Sequence, residues 1–247
     1  MAMPTETFDD LEAEQDRLES VLTGLSVDQW LLASAAVGWT IADVVLHLAQ
    51  TEEAVVATTT AAVGVPYGQA NGETLDEAMA ARVRAEPSPP ADIFERWRTA
   101  RRAAVAALRE ADPQRPLRWV AASLKPRTLA TTRLAEHWAH GLDITTPLGV
   151  DYPDTARLRH IAWLGHSTLP YAFAIERLQP HEVYCELTAP DGTLWRYGPP
   201  EATSAITGPA GDFCRIGARR LTPEQSKLTT RGPHADTALR VLRNYAA

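Results

Sequence analysis

Several features that would point to common partners are scarce in this sequence of 247 residues. Only two cysteines are present, Cys185 and Cys214, so the chain carries neither a disulfide framework nor a cysteine-rich zinc site. Lysine and arginine number 24 against 31 aspartates and glutamates, which gives a formal charge of −7. Because nucleic acids and anionic membranes attract concentrated positive charge, neither is expected as a partner.

Targeting segments and several catalytic motifs are also missing. Residues 1–10 combine acidic residues with Pro4, where a secretory signal needs basic residues and an apolar run. The longest apolar stretches, such as Trp30–Val37, fall far short of the ~20 residues that span a bilayer. A cytoplasmic protein is therefore expected. Without a glycine-rich phosphate loop or a Gly-x-Ser-x-Gly elbow, nucleotide and serine hydrolysis lack sequence support.

The hydrophobic pattern changes along the chain and predicts an α+β fold. In the first part, apolar residues recur at helical spacing and indicate four principal helices, which is typical of an antiparallel bundle. These helices are expected at Asp9–Leu25, Ile41–Ala61, Ala91–Ala111 and Thr128–Thr146, with a shorter helix at Leu75–Arg84. Thr40 and Asp43 resemble a capping box at the start of the second.

The second part mixes strands and helices. Asp191-Gly192 lies between two runs of strand formers, Val183–Thr188 and Thr193–Tyr197, and predicts a β-hairpin. We also expect a strand at Lys227–Thr230 and helices at Thr155–Leu178, Pro209–Arg220 and Asp236–Ala246. The expected domains are a helical bundle over residues 1–150 and a small α+β domain over residues 151–247. The first helix of the second domain is a candidate to pack on the bundle.

Three side chains form a candidate metal site. Glu136 and His140 lie four residues apart, so a helix places both on one face, where they can bind a single divalent cation. His47, at the edge of an apolar helical stripe, is the natural third donor. Two histidines and one glutamate are typical of a catalytic zinc site with an open fourth position, and nickel or iron accept the same ligands. An exposed Glu–His pair and a hydrogen-bonded core histidine explain the same spacing.

Residues beside these donors have alternative interpretations. Asp43 precedes His47 by one helical turn and would orient its free ring nitrogen, or it serves only as the capping partner of Thr40. Trp39 and Trp138 either form walls of a pocket or fill the core. The remaining histidines beside or after the candidate ligands are more consistent with packing residues than with further ligands: His137, His160 and His166.

The sequence around these donors resembles the DinB-like metalloenzymes, and among them the group related to mycothiol-dependent maleylpyruvate isomerase. The resemblance lies in Gly38–Asp43 with His47, and in Glu136–Gly141 with Asp143. The C-terminal half is similar to the branch labelled "wyosine base formation domain-containing". The segments that carry this second likeness are Leu187–Gly192, Trp195, Gly198, Thr207–Ala210 and Asp212–Cys214.

The resemblance implies a function and a set of site residues. It implies a four-helix bundle in which His47, Glu136 and His140 hold the metal, and a basic residue of the C-terminal domain near the site. Arg220, with Arg219 as the ambiguous neighbour, stands at about the right place and would grip a substrate carboxylate. The alternative is an exposed arginine that caps its helix.

We therefore expect a metal-dependent enzyme, monomeric or homodimeric, that acts on a small and carboxylate-bearing molecule. Zinc is the favoured ion, and mycothiol is the thiol that the resemblance implies as cosubstrate of an isomerase or S-transferase. Two alternatives stay open on the same scaffold. One is a thiol-independent cyclase, lyase or hydrolase of specialised metabolism, and the other is a non-catalytic binder of small molecules.

Overall fold

The computed structural model describes residues 6–60, 74–120 and 122–244, and this part of the chain forms two compact units. The units divide between Tyr152 and Pro153, two residues beyond the boundary expected from the sequence. The first unit is built mainly of helices, and the second combines helices with a small sheet. The predicted α+β class is confirmed. No helix within the described residues is long and apolar enough to cross a membrane.

The first unit contains the four long helices expected from the periodicity. Its elements, in chain order, are α1 (Glu6–Thr23), α2 (Val27–Trp30), α3 (Ile41–Thr60), α4 (Leu75–Ala85), α5 (Pro90–Glu110), β1 (Leu117–Trp119), β2 (Ala122–Leu124) and α6 (Pro126–Leu148). The short helix α2 and the antiparallel pair β1–β2 were not predicted. The expected end of α3 at Ala61 lies outside the described residues.

Local sequence explains the limits of the helices that carry the candidate donors. At the start of α3, the Thr40 and Asp43 side chains each accept the other residue's backbone N–H, which confirms the capping box. Helix α6 begins with Pro126, because the N–H groups of a first turn have no partner within the helix and proline has no N–H to lose. It ends at Leu148, and Gly149 follows with a φ of 63°, which suits glycine. The predicted end at Thr146 is two residues too early, because Pro147 is tolerated inside the last turn.

Buried charge joins α3 to α6 in the core. Arg133 Nε donates to Glu52 Oε1 at 2.8 Å, and Arg133 Nη2 donates to Thr51 Oγ1 at 2.6 Å. Glu52 has no exposed surface, and burial raises the pKa of its carboxyl group. Next to this pair, Trp97 Nε1 donates to His137 Nε2 at 3.2 Å, and His137 Nδ1 lies 2.8 Å from the Arg133 carbonyl. His137 is therefore a neutral packing histidine, and burial lowers its pKa to about 3.

The second unit is a four-stranded sheet with helices. Its elements are α7 (Leu158–Ser167), α8 (Leu169–Ile175), β3 (Val183–Thr188), β4 (Leu194–Tyr197), β5 (Ser204–Pro209), α9 (Ala210–Gly217), β6 (Thr229–Arg231) and α10 (Ala235–Val241). The strand order is β4-β3-β5-β6, with β3 and β5 parallel and the other pairs antiparallel. The predicted hairpin at Asp191-Gly192 is present.

Three expectations for the second unit need correction. The single helix predicted at Thr155–Leu178 is two helices, because Pro170 has no N–H to continue the hydrogen-bond ladder of α7. The internal strand β5 was missed, since its buried residues form a short run before Gly208 and Pro209 rather than an alternating pattern. The predicted helices at Pro209–Arg220 and Asp236–Ala246 end earlier, at Gly217 and Val241.

The Glu52–Arg133 pair provides a test of what holds α3 against α6. Arg133→Met should lower the free energy of unfolding by about 3–5 kcal/mol, because it leaves the Glu52 carboxylate buried without its cation. The double variant Glu52→Leu/Arg133→Met should recover most of that loss, since it removes both charges. Urea denaturation monitored by circular dichroism measures each value.

The matched control for this measurement is Arg98→Met. Arg98 forms its ion pairs with Glu19 and Glu95 at the partly exposed surface of α5. We expect this variant to lose about 1 kcal/mol or less, as is usual for exposed pairs. An equally small loss for Arg133→Met would show that the buried pair does not fix the two helices.

Candidate metal centre

Three donor atoms from two helices meet at one point in the first unit. His47 projects from α3, and Glu136 and His140 project from successive turns of α6. Glu136 Oε2 lies 3.7 Å from His47 Nε2 and 3.5 Å from His140 Nε2. The donor atoms of all three residues lie within 4.8 Å of one another, and no second group of three such donors occurs in the described part of the chain. The structure thus brings together the three residues that the sequence singled out.

The separations within this triad fit a shared cation better than direct hydrogen bonds. Hydrogen bonds between nitrogen and oxygen are about 2.7–3.2 Å long, shorter than both of the distances to Glu136 Oε2. A tetrahedral zinc ion with bonds of about 2.0–2.2 Å would hold neighbouring donors about 3.3–3.6 Å apart. The donor set and its spacing therefore suit a divalent metal with two nitrogen ligands and one oxygen ligand.

The environment favours the protonation states that metal binding requires at two of the three ligands. Burial lowers the pKa of His47 and so favours its neutral ring. Burial opposes the ionised form of Glu136, but the attraction of His140 and His47 outweighs burial and holds its pKa well below the usual value. Burial also lowers the pKa of His140, yet Asp143 and Glu136 more than compensate and raise it.

Asp143 is the carboxylate that positions a candidate ligand. Its Oδ2 lies 2.9 Å from His140 Nδ1, one turn further along α6, so Nδ1 carries the proton and Nε2 faces Glu136. Asp143 belongs to the residues that carry the family resemblance, but no role was predicted for it. The signal that could have identified it is its position three residues after His140, which places both side chains on one side of the helix.

The structure gives Asp43 the capping role instead of the predicted contact with His47. Asp43 Oδ2 accepts hydrogen bonds from Thr40 N at 2.9 Å and from Thr40 Oγ1 at 2.7 Å. His47 Nδ1 is buried and has no hydrogen-bond partner within the described part of the chain. The physical reason is competition, because a carboxylate in the first turn of a helix satisfies free backbone N–H groups before it reaches along the axis.

The two neighbouring tryptophans have different positions. The Trp39 ring is partly exposed, and its centroid lies 5.1 Å from the His47 ring and 6.2 Å from the His140 ring. Trp138 is buried, with 2% of its surface exposed. Of the two, Trp39 is the one that lies beside the donors, whereas Trp138 belongs to the core.

The other residues singled out by the sequence belong to the second unit. Arg220 follows α9, is exposed, and donates from Nη1 to the Ala218 carbonyl at 2.6 Å, as the capping alternative requires. Arg219 is also exposed and has a φ of 62°. His160 is buried, and His166 Nε2 lies 2.9 Å from the Val183 carbonyl, which agrees with packing roles. The substrate contact expected of Arg220 stays a prediction.

Comparison with known proteins gives one family and one fold. Residues 11–145 match the family described as the mycothiol maleylpyruvate isomerase N-terminal domain. Two similar proteins come from Mycobacterium tuberculosis, Uncharacterized protein MT0041 of strain CDC 1551 / Oshkosh and Uncharacterized protein Rv0036c of strain ATCC 25618 / H37Rv. Each is 33% identical over 252 residues, which cover 100% of this chain and 97% of the relative.

Two solved structures share the fold across most of the chain. A crystal structure of a mycothiol-dependent maleylpyruvate isomerase matches with a TM-score of 0.63 and 16% identity. A histidine-to-alanine mutant of that kind of enzyme matches with a TM-score of 0.62 and 14% identity. In both comparisons the alignment covers 93% of this chain and 93% of the other.

Loss of any one donor should remove the ion without unfolding the chain. We expect His140→Ala and Glu136→Ala to bind less than a tenth of the divalent metal of the wild type, because two remaining ligands hold a catalytic ion weakly. Inductively coupled plasma mass spectrometry of the purified protein measures the metal content, and circular dichroism checks the fold. His137→Ala is the control, since it should destabilise the core and still bind metal. Full metal content in His140→Ala would contradict the site.

Asp143 and Asp43 form a matched pair for testing the positioning role. Asp143→Asn should weaken zinc affinity about 10- to 100-fold, because the carboxylate no longer fixes the tautomer of His140. Asp43→Asn should leave zinc affinity within about twofold and lower helix stability only slightly, since Asp43 caps α3. Competition with a chromophoric chelator gives both affinities. Equal effects of the two substitutions would refute the distinction.

Proposed function

Because the chain belongs to the mycothiol maleylpyruvate isomerase N-terminal domain family, we propose that it is a divalent-metal-dependent enzyme that uses mycothiol. The observation that carries this proposal is the meeting of His47, Glu136 and His140 within the first unit. Three protein ligands leave a further coordination position for a thiol or a substrate oxygen, as in catalytic rather than structural zinc sites.

Zinc is the ion that we propose, and the same two histidines and one glutamate would accept nickel or iron. When bound, such an ion acts as a Lewis acid that polarises a carbonyl group and favours the anionic form of a thiol. The protein supplies the remaining elements of the site. His47 and His140 provide neutral nitrogen donors, Glu136 provides negative charge, and Asp143 fixes the orientation of His140.

The reaction that we favour is the isomerisation of an activated alkene. The thiolate sulfur forms a C–S bond with one alkene carbon, while the electron pair of the double bond moves towards a conjugated carbonyl. The former double bond is now single and rotates. Return of the electron pair breaks the C–S bond, restores the alkene in the other geometry and releases the thiolate, so no oxidant or reductant is consumed. If the adduct is protonated and kept, the outcome is S-transfer.

We propose that Arg220 binds a carboxylate of the substrate. A guanidinium group is exposed at this position after α9, and its planar fork can hold a carboxylate with two parallel hydrogen bonds. Its side chain already donates to the Ala218 carbonyl, which orients the group at the end of α9.

The proposed function is tested directly with the zinc-loaded protein. Maleylpyruvate is the first substrate to try, since it is named for the structurally similar enzymes, and the loss of its cis form is followed by ultraviolet absorbance. We expect turnover with mycothiol, none without a thiol, and none in His140→Ala. Turnover that is equal with and without thiol would favour the thiol-independent alternative, and the absence of bound metal would favour a non-catalytic binder.

Arg220 has a separate kinetic test. Arg220→Ala should raise KM for a carboxylate substrate about 10- to 100-fold, because a charge-assisted bidentate contact contributes about 1.5–3 kcal/mol. Arg220→Lys should recover only part of the loss, because an ammonium group cannot form the fork. Arg219→Ala is the control on the neighbouring position. If Arg219→Ala raises KM and Arg220→Ala does not, the assignment belongs to the neighbour.

A further inference from the structure

We propose that Trp39 forms one wall of the ligand site beside the metal centre and favours ligands that carry an aromatic or planar unsaturated group next to their metal-binding oxygens. This inference rests on the proposed function, because it requires an ion at His47, Glu136 and His140. It adds a residue that selects ligands and a ligand class defined by shape.

The position of the Trp39 ring supports this role. Its plane lies within 21° of the His140 ring and is tilted by 52° from the His47 ring, at centroid distances of 6.2 and 5.1 Å. It therefore contacts the two nitrogen ligands and still keeps exposed surface. An indole face beside a coordination position offers offset or edge contacts to a planar group, which aromatic rings prefer.

The segment that carries Trp39 is held in place at both ends. At its start, Ala35 N donates to the Asp143 carbonyl at 2.9 Å, and at its end Ile41 N donates to the Leu32 carbonyl at 3.0 Å.

Within the segment, Ser34 Oγ donates to the Trp39 carbonyl at 2.9 Å. Gly38 has a φ of 82°, which permits the turn just before the indole. Trp39 is thus attached to the ligand-bearing helix before any ligand binds, so little conformational entropy is lost on binding.

Pro147 explains why α6 can hold this segment. In a regular helix, the Asp143 carbonyl would accept the N–H of the residue four positions later, which is Pro147. Proline has no N–H, so the carbonyl remains available and accepts Ala35 N instead. The side chain of Asp143 meanwhile binds His140 Nδ1. One residue therefore positions both a candidate ligand and the segment of Trp39.

The chain between α2 and α3 also exposes apolar side chains that are close to Trp39 in sequence. Val37 is fully exposed, and Leu31 and Leu32 are exposed by 57% and 44%. A polar donor set and an apolar loop thus lie on adjoining stretches of chain. A ligand with an oxygen-rich end and a planar apolar end matches this pairing, since burial of apolar surface adds to the metal bond.

Two hydroxamates distinguish contact with Trp39 from binding to the metal. Acetohydroxamate and benzohydroxamate share the metal-binding group and differ only by a methyl or a phenyl substituent. Calorimetric titration of the zinc-loaded protein with each compound gives an affinity ratio, and the metal content is measured beforehand. We expect the wild type to prefer benzohydroxamate. Trp39→Ala should reduce the preference about threefold to tenfold, with acetohydroxamate affinity nearly unchanged.

Trp39→Phe is the conservative variant, and it should keep the preference within about twofold, because a phenyl ring preserves an aromatic face. Trp39→Leu retains apolar volume without an aromatic face, and it replaces Trp39→Ala if that variant fails to fold. The role of Trp39 alone is overturned if metal-loaded protein shows no preference for the phenyl compound. It is also overturned if the preference is unchanged in the Ala and Leu variants. A wild type that binds no divalent ion overturns the proposed function and the wall together.

Discussion

The candidate site depends on the register in which α3 packs against α6. The two helices run antiparallel, since His47 faces Glu136 and His140 while Glu52, further along α3, faces Arg133, earlier on α6. A slip of one helical turn would separate Glu52 from Arg133 and leave two unpaired charges in the core, at a cost of several kcal/mol. The buried pair therefore fixes the register, and the same register brings the three donors together.

This packing also arranges the charges of the core. The core contains the Arg133 cation, the Glu52 carboxylate and a neutral His137. Trp97 donates to His137 Nε2, so the proton of His137 lies on Nδ1. Burial lowers the pKa of His47, and the positive charge of Arg133 adds to that shift. At Glu136 burial opposes ionisation, but His140 and His47, with a further contribution from Arg133, hold the pKa well below the usual value. Metal binding therefore needs little reorganisation at His47 and Glu136, whereas His140, whose pKa is raised by Asp143 and Glu136 against the effect of burial, must release a proton.

Asp143 connects a candidate ligand with the segment that carries Trp39. Its carboxylate binds His140, and its carbonyl accepts the Ala35 N–H, because Pro147 has no N–H to donate at that point of α6. A substitution of Asp143 would remove the side-chain contact with the imidazole and leave the main-chain hydrogen bond to Ala35. The family match covers residues 11–145 and therefore includes both Ala35 and Asp143, whereas Pro147 lies beyond it.

Sequence alone determined the α+β class and the long helices of the first unit, because helical periodicity is a local property of the chain. It also singled out the three candidate donors, through the Glu–His spacing together with the family resemblance. It did not distinguish the two roles of Asp43 or find the one of Asp143, since a carboxylate binds whichever donor folding brings nearest. Strand β5 was likewise missed, because its burial between β3 and β6 comes from pairing with distant segments. The meeting of His47 with Glu136 was decided by tertiary packing, since the alignment of α3 with α6 depends on contacts between residues distant in sequence, among them the buried Glu52–Arg133 pair.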